Sequence, residues 1–491
     1  MLRKTQCWYA GASCFILTNS LARRACIVTH MRRSMILPGC LSLCFLLCWN
    51  TVLSAGLVFE KQSEEQDPKT IVAANLLGRG VQIFHEAKTA FQKGEHEKCA
   101  AILEGLRRED RGLPPKELIL VWMLMSDGKL AEAKQTLERV AALYPNHPQT
   151  SLTLGQIALS ERRFADAAAL LEKAVSVSMP TEWNADQQRR FALQGLDTLA
   201  QVYSAQGRWN SEKQTLEAAL NLERNSRRGI RLARALVSME QFESAEQLLK
   251  GVVSHEISLP AVTLLMAKIA FQAGKKDRVG GFLDRALKDS PEDDEARLWS
   301  LEWALVERDF EKSSRLVDQL VSKADEPEVL RLRGLFQNAK GQRLKAIPLL
   351  EKALNSDTAS SNLTTEVQLL SIKAWDAIES SDKWPAVLEQ VESLALKHPS
   401  DGNVLSLLGW IYAISSRPEE AELMLARGAQ LSSTLTPDQG FFMADHLRRL
   451  EDPAARKRGL EMLRSLGDTK YEFFLLKDLA TETLRELEDR E

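Results

Sequence analysis

Three arginines provide the clearest ligand-binding chemistry in the sequence. Arg227, Arg231 and Arg234 are spaced by four and three positions, so they share one face of the segment if it is helical. Lys268 is a further basic candidate, at the equivalent position one period later in the repeat described below. Guanidinium groups bind carboxylates through paired hydrogen bonds. This basic stripe predicts a site for an acidic peptide or a chain-terminal carboxylate. The alternative is a set of solvated charges that pair with nearby Glu residues.

Two tryptophans, Trp122 and Trp410, are candidates for anchoring a partner protein. Large aromatic side chains contribute a large share of the binding energy at protein interfaces. They also fill gaps between packed helices, and the sequence leaves these two interpretations open.

Residue combinations that support catalysis are missing from the sequence. It contains no His-Glu-x-x-His, Cys-x-x-Cys, Gly-x-Ser-x-Gly or phosphate-binding glycine loop. The closest approach to a metal-binding pair is His96 with Cys99, and both occupy packing positions of the repeat described next. We predict that the protein is not an enzyme and has neither a metal ion nor a cofactor.

An aliphatic residue recurs along the chain, and this column indicates which elements position the candidate site. The usual interval is about 34 residues, which is typical of a solenoid of helical hairpins. The intervals before Leu216 and Val391 are longer, and a usually small residue lies four positions before each member. Stacking of such hairpins buries the apolar face of each one. The members of the aliphatic column are Leu103, Leu137, Leu171, Leu216, Leu249, Leu283, Val317, Leu350, Val391 and Leu425.

Two units, residues 153–174 and 334–353, resemble the tetratricopeptide repeat closely. The leucine–glycine pair of that family appears as Leu154 and Gly155, and its aromatic residue at the turn between helices appears as Phe164. The resemblance implies an all-α, right-handed superhelical solenoid of about eleven hairpins. It also implies that the first helices line a concave groove in which protein or peptide partners bind.

Four of the candidate binding residues occupy equivalent groove slots, directly after the small residue of a first helix: Trp122, Arg234, Lys268 and Trp410. None of these slots holds an asparagine, so the sequence predicts no terminal-carboxylate clamp of the kind found in chaperone adaptors of the family. The arginine stripe is expected to be exposed, and reversal of its charges is then expected to leave stability almost unchanged.

Residues 1–59 are predicted to be a targeting region. No Asp or Glu precedes Glu60, and residues 34–57 carry no charge. Arg32 and Arg33 precede this apolar run, and small residues ending at Ala55 are suited to cleavage by a signal peptidase. We expect export to the periplasm or another extracytoplasmic space, or a single membrane anchor if residues 34–57 are retained. A mitochondrial transit peptide is the alternative.

The charge balance and the cysteines exclude further classes. Without residues 1–55, the chain carries 58 Lys plus Arg against 67 Asp plus Glu, a net charge of −9. Nucleic-acid binding needs clustered positive charge, so we predict no nucleic-acid partner. Only Cys99 of the seven cysteines lies beyond this region, so an internal disulfide is impossible in the remainder.

These observations lead to one prediction of domains and function. Residues 60–435 form a tetratricopeptide array, and residues 436–491 form a degenerate repeat with a C-terminal capping helix that starts at Tyr471. The predicted function is a non-enzymatic scaffold for protein–protein interactions in the assembly of cell-envelope or secretion machinery. The alternatives are a mitochondrial assembly factor and a binder of an acidic polymer.

Overall fold

The computed structural model of the chain describes residues 79–109, 114–254, 259–355, 363–379, 381–467 and 471–489. The predicted targeting region, including residues 34–57, lies outside these ranges. Within them, every helix is too short or too polar to cross a bilayer.

The described residues form 23 α-helices and two single-turn 3-10 helices, with no strand among them. Successive α-helices pair as first and second helices of eleven hairpins, and the last helix follows them. In chain order the α-helices are α1 Arg79–Gln92, α2 His96–Glu109, α3 Lys116–Ser126, α4 Leu130–Leu143, α5 Pro148–Ser160, α6 Phe164–Ser176, α7 Ala185–Ala205, α8 Trp209–Leu222, α9 Ser226–Ser238, α10 Phe242–Val253, α11 Val262–Gln272, α12 Lys276–Asp289, α13 Asp294–Glu307, α14 Phe310–Gln319, α15 Pro327–Ala339, α16 Arg343–Leu354, α17 Leu363–Glu379, α18 Trp384–Lys397, α19 Gly402–Ile414, α20 Pro418–Leu431, α21 Pro437–Arg449, α22 Pro453–Leu466 and α23 Lys477–Glu488.

The hairpins stack in sequence, because each second helix packs against the first helix of the next hairpin. This arrangement confirms the predicted all-α superhelix of about eleven hairpins. The division into residues 1–59, 60–435 and 436–491 stays a prediction.

The aliphatic column packs inside its own hairpin. A Cβ added to Gly155 of α5 would lie 2.7 Å from Cγ of Leu171 in α6, and one added to Gly334 of α15 would lie 2.8 Å from Cγ of Leu350 in α16. The two helices of a hairpin can therefore approach closely only where one of them carries a small residue. The seventh hairpin departs from the predicted column, because Leu316 is buried there and Val317 is only partly buried.

A left-handed residue closes the turn inside nearly every hairpin, nine positions before the aliphatic column. Five of these residues are glycines, such as Gly94 and Gly341, with φ between 68° and 77°. Arg308 occupies the same position of the seventh hairpin with φ of 58°. In the first hairpin the amide of Glu95 donates to the carbonyl of Ala90, which is the hydrogen bond of a Schellman motif.

Much of the long interval before Leu216 extends the first helix of the fourth hairpin, since α7 runs for 21 residues. One detail of the sequence-based prediction needs correction. The C-terminal helix was expected to begin at Tyr471, but it begins at Lys477. Residues 471–476 form a non-helical segment whose contacts are described below.

The close contact inside each hairpin makes a paired prediction about stability. Gly334→Ala should lower the free energy of unfolding by about 1 to 3 kcal/mol, because the new methyl group overpacks the contact with Leu350. Gly281→Ala is the control: Gly281 is an exposed residue of α12 with no atom within 4 Å of an added Cβ. It should raise stability by about 0.5 to 1 kcal/mol through helix propensity. Urea denaturation followed by circular dichroism measures both, and equal effects of the two substitutions would contradict the assigned packing.

Candidate functional site

The arginine stripe on α9 lies among acidic groups of the preceding hairpin. Arg231 pairs with Asp197 of α7, with 3.5 Å between Nη1 and Oδ1. Arg228, which the sequence analysis did not select, binds both carboxylate oxygens of Asp197 at 2.9 to 3.1 Å. Arg227 is partly buried. The stripe is therefore tied to its own array at Asp197.

Arg234 is paired with a carboxylate in the interior of the fourth hairpin. Its Nη2 donates to Oγ of Ser204 at 2.6 Å and lies 3.3 Å from Oε1 of Glu212. Glu212 is 0% exposed and occupies the small-residue slot of α8. Burial raises the pKa of Glu212, and the coulombic effects of Arg234 and Arg231 oppose the rise. The expectation that charge reversal in the stripe leaves stability unchanged does not fit this geometry.

Lys268 and the two candidate tryptophans are buried. Lys268 is 1% exposed, forms an ion pair with Glu295 of α13 and lies 5.5 Å from the ring centre of Trp299. Trp122 donates from Nε1 to Oγ1 of Thr153 in α5, the next first helix, at 3.1 Å. These two side chains connect neighbouring hairpins.

Trp410 is 0% exposed and contacts side chains of α21. Its indole stacks on Phe442 at 4.8 Å between ring centres, and its Nε1 donates to Oδ2 of Asp445 at 3.0 Å. This placement matches the interpretation of the tryptophans as fillers between hairpins. It does not present the indole to an incoming partner.

Part of the groove in the C-terminal half is instead covered by the chain's own residues that precede the last helix and begin it. We call Tyr471–Asp478 the C-terminal segment and the surface formed by α13, α15 and α21 the C-terminal groove. All three are first helices of their hairpins. Leu335, in the slot after the small residue of α15, lines a cavity of about 20 Å³ that Phe473 and Leu475 also line. That volume is close to what one water molecule requires, so the segment nearly fills the groove.

Two polar side chains of the groove bind the main chain of the segment. Nδ2 of Asn338 donates to the carbonyl oxygen of Leu475 at 3.0 Å. The carboxylate of Asp438 accepts from the amide of Leu475 at 3.2 Å and from the amide of Leu476 at 3.0 Å. Burial raises the pKa of Asp438 to about 6, although these two amides oppose the rise.

Aromatic contacts hold the first half of the segment. Tyr471 stacks on Trp303 of α13, with 5.9 Å between ring centres and 12° between ring planes. Phe474 lies 6.5 Å from Phe441 of α21. Trp303 itself is buried.

Ion pairs lie at both ends of the segment. Nζ of Lys276 is 3.1 Å from Oε1 of Glu472, and Nη2 of Arg308 is 2.9 Å from Oδ1 of Asp478. The four side chains are between 30% and 43% exposed, so these pairs contribute little to stability and weaken with added salt.

The groove slots of the repeat do not reveal this groove, for a physical reason. Each slot directly follows the small residue of a first helix, whereas Asn338 lies four positions after Gly334, one helical turn further along. The asparagine at that position is visible in the sequence and could have been identified as a candidate for binding a peptide main chain. The contacts of the segment with Asn338 and Lys276 join residues 137 and 196 positions apart and have no counterpart in the repeat.

The nearest approach to a metal-binding pair in the sequence lies in the first hairpin. His96 packs edge-on against Phe91 at 5.2 Å, and Cys99 is buried, so both occupy packing positions. In the part of the chain that the structure describes, no three His, Cys, Asp or Glu side chains are placed to hold a metal ion.

The comparison with protein families finds one match in the array. Residues 124–178, which include the third hairpin, match a model described as a tetratricopeptide repeat. A curated relative, cellulose synthase operon protein C of Xanthomonas axonopodis pv. citri (strain 306), is 25% identical over 363 residues. That alignment covers 70% of this chain and 22% of the relative, so the chain spans about a fifth of the relative's length.

Solved structures with similar folds include yeast Tom70 and pilF of Pseudomonas aeruginosa. Yeast Tom70 is 12% identical, with a TM-score of 0.37, and the match covers 77% of this chain and 98% of Tom70. The pilF structure is 14% identical, with a TM-score of 0.30, and the match covers 45% of this chain and 97% of pilF.

The buried pair of Arg234 and Glu212 predicts an asymmetric effect of mutation. Arg234→Ala should cost about 3 kcal/mol, because it leaves a buried carboxylate without its cation. Glu212→Ala should cost less, since it restores the small residue usual in this slot, and the double variant should be more stable than Arg234→Ala alone. Arg163→Ala, which removes an exposed ion pair, is the control and should change stability by about 0 to 1 kcal/mol. Additive effects in a urea-denaturation cycle would argue against the pair.

The raised pKa of Asp438 predicts a dependence of stability on pH. The folded chain binds this proton more tightly than the unfolded chain does. The resulting stabilisation is fully present below the ordinary pKa of 3.8 and is lost as the pH rises through about 6. Wild type should therefore gain stability relative to Asp438→Asn as the pH falls from 7.5 to 4, by at most about 3 kcal/mol. Urea titrations across this range test it, and a constant difference between the two proteins would contradict the assignment.

Proposed function

The chain is a tetratricopeptide repeat protein, and on that premise we propose that it is a non-enzymatic scaffold that holds segments of partner proteins along its first helices. Protein-interaction scaffolding is the coarse function that the fold supports. The finer proposal names the surface that binds the partners and the cellular machinery that the scaffold helps to assemble.

One observation carries the choice of surface: a stretch of polypeptide that is non-helical up to Leu476 already lies on first helices of the C-terminal half. Asn338 and Asp438 bind its main chain, and Leu335 lines the groove beside it. The groove of this array therefore has room and hydrogen-bonding groups for the main chain of a peptide. In α5 and α7, the slot that corresponds to Leu335 is occupied by Gln156 and Gln201, and both are partly exposed.

The proposed setting is the cell envelope, in the assembly of secretion or polysaccharide-export machinery. The basic, acid-free leader with an apolar stretch at residues 34–57 supports export or membrane anchoring. The name of the curated relative, a cellulose synthase operon protein, supports a place beside a polysaccharide-synthesis system. The mitochondrial alternative requires cleavage of the leader by a matrix protease.

The acidic-polymer alternative requires a continuous basic surface around Arg227. The pairing of Arg228 and Arg231 with Asp197, and of Arg234 with Glu212, neutralises much of that surface. We therefore favour protein partners over an anionic polymer, and we propose no nucleic-acid partner.

Photo-crosslinking in the native host tests the proposed function. A benzophenone amino acid placed at Gln156 or Gln201 of the full chain should form crosslinks to a discrete set of proteins. The control position is Leu396 on the second helix α18, which is 84% exposed and should give no such set. Mass spectrometry identifies the crosslinked proteins. The absence of groove-specific crosslinks, or the same products from all three positions, would count against the scaffold function.

A further inference from the structure

We propose that the C-terminal groove is a specific site for a peptide in which two adjacent aromatic residues precede two leucines, and that the C-terminal segment Tyr471–Asp478 occupies this site until such a peptide from a partner protein displaces it. The inference deepens the proposed function and rests on it, since it names the partner chemistry of one part of the same surface.

The groove binds the main chain of the segment through two fixed groups. Asn338 binds a carbonyl oxygen, and Asp438 binds the amides of that same residue and of the next one. Because the amides of consecutive residues point to opposite sides of an extended strand, these hydrogen bonds require a backbone that turns at Leu475 and Leu476, but no particular side chain. Any peptide that reaches the groove in this conformation can make them.

The side-chain contacts add the sequence preference. Leu476 is fully buried and Leu475 nearly so, in the same apolar cluster as Phe441 and Trp410. Phe474, which directly precedes Leu475, packs against Phe441. A peptide with polar residues in these three positions would leave apolar surface of the groove in water or bury unpaired polar groups.

The ends of the segment define a charge pattern. Glu472 and Asp478 are six positions apart, and they pair with Lys276 and Arg308. Because the two cations lie at opposite ends of the segment, acidic residues on both sides of the aromatic–leucine core fix the register of a bound peptide. The ion pairs are partly exposed, so we expect added salt to weaken this contribution.

The segment satisfies the groove incompletely, which makes it replaceable. Nε1 of Trp303 and Oδ1 of Asn338 are buried without a hydrogen-bond partner. Tyr471 is held with φ of 62°, a left-handed conformation that is unfavourable for a side chain of this size. A partner peptide that offers an acceptor to Trp303 and a donor to Asn338, without the strained residue, makes more hydrogen bonds at the same site.

Attachment to the array gives the segment a high effective concentration, so a free peptide competes poorly with it. The experiment therefore begins by expelling the segment from the full chain. Leu476→Glu places a carboxylate in a fully buried position and should release the segment while every residue of the groove stays intact. Tyr471→Ala/Phe474→Ala is a milder second variant that leaves both leucines in place.

The probe is a fluorescein-labelled peptide of residues 471–478, Tyr-Glu-Phe-Phe-Leu-Leu-Lys-Asp, followed by fluorescence anisotropy. The expelled variant should bind it at least about tenfold more tightly than wild type does, and Asn338→Ala in the same variant should weaken binding about tenfold through the lost hydrogen bond. A peptide of the same composition in scrambled order is the control. Circular dichroism verifies that each variant is folded.

Three results would overturn the proposal. One is a folded, expelled variant that does not bind the peptide, in both forms of the variant. Another is equal binding of the ordered and scrambled peptides. The third is a dimer of wild type that Leu476→Glu abolishes, because the occupant would then be the segment of a second copy of this chain.

This test is independent of the crosslinking experiment. Crosslinks at Gln156 and Gln201 without peptide binding would remove the proposed peptide specificity and leave the scaffold function in place. Peptide binding without groove crosslinks in the host would count against the scaffold function and leave the peptide specificity in place.

Discussion

The contact between an aliphatic side chain and a small residue across each hairpin is the constraint on which the architecture depends. Leu171 approaches Gly155 so closely that a methyl group does not fit between them, and Leu350 approaches Gly334 in the same way. This contact fixes the distance between the two helices of a hairpin. The remaining apolar faces are then buried by stacking, and the first helices come to lie side by side, which creates the groove slots.

The fourth hairpin shows what happens when a charged residue occupies the small position. Glu212 is buried there, and it draws Arg234 from the next hairpin toward it, beside Ser204. A side chain that could have served a ligand is thus used to compensate an internal charge. Burial of the Glu212 carboxylate costs stability, and its pairing with Arg234 removes free positive charge from α9. Both effects follow from the presence of a glutamate in the small-residue position.

The sequence was sufficient to predict the repeat, the number of hairpins and the buried columns, because all of these depend on contacts inside one hairpin or between neighbours. The period of the repeat is directly visible in residue types such as Leu171 and Gly155. The burial of Lys268 and Trp410 could not be predicted as securely, since a lysine or tryptophan in a groove slot has the same spacing whether it faces solvent or the next hairpin. The position of Asp438 opposite the amides of Leu475 and Leu476 depends on a chain reversal that has no periodic signal.

The return of the C-terminal segment to the array also changes how the protein can fold. A stack of hairpins forms through contacts between neighbours in sequence, and such contacts close quickly. The pairs Lys276–Glu472 and Arg308–Asp478 span 196 and 170 residues, so their formation carries the loop-closure entropy of a much longer chain. During synthesis, the C-terminal groove is complete as soon as α21 has folded, but its own occupant lies later in the chain and is not yet available to it. A nascent chain therefore passes through a stage in which this groove is open, and a partner present at that moment meets no intramolecular competitor.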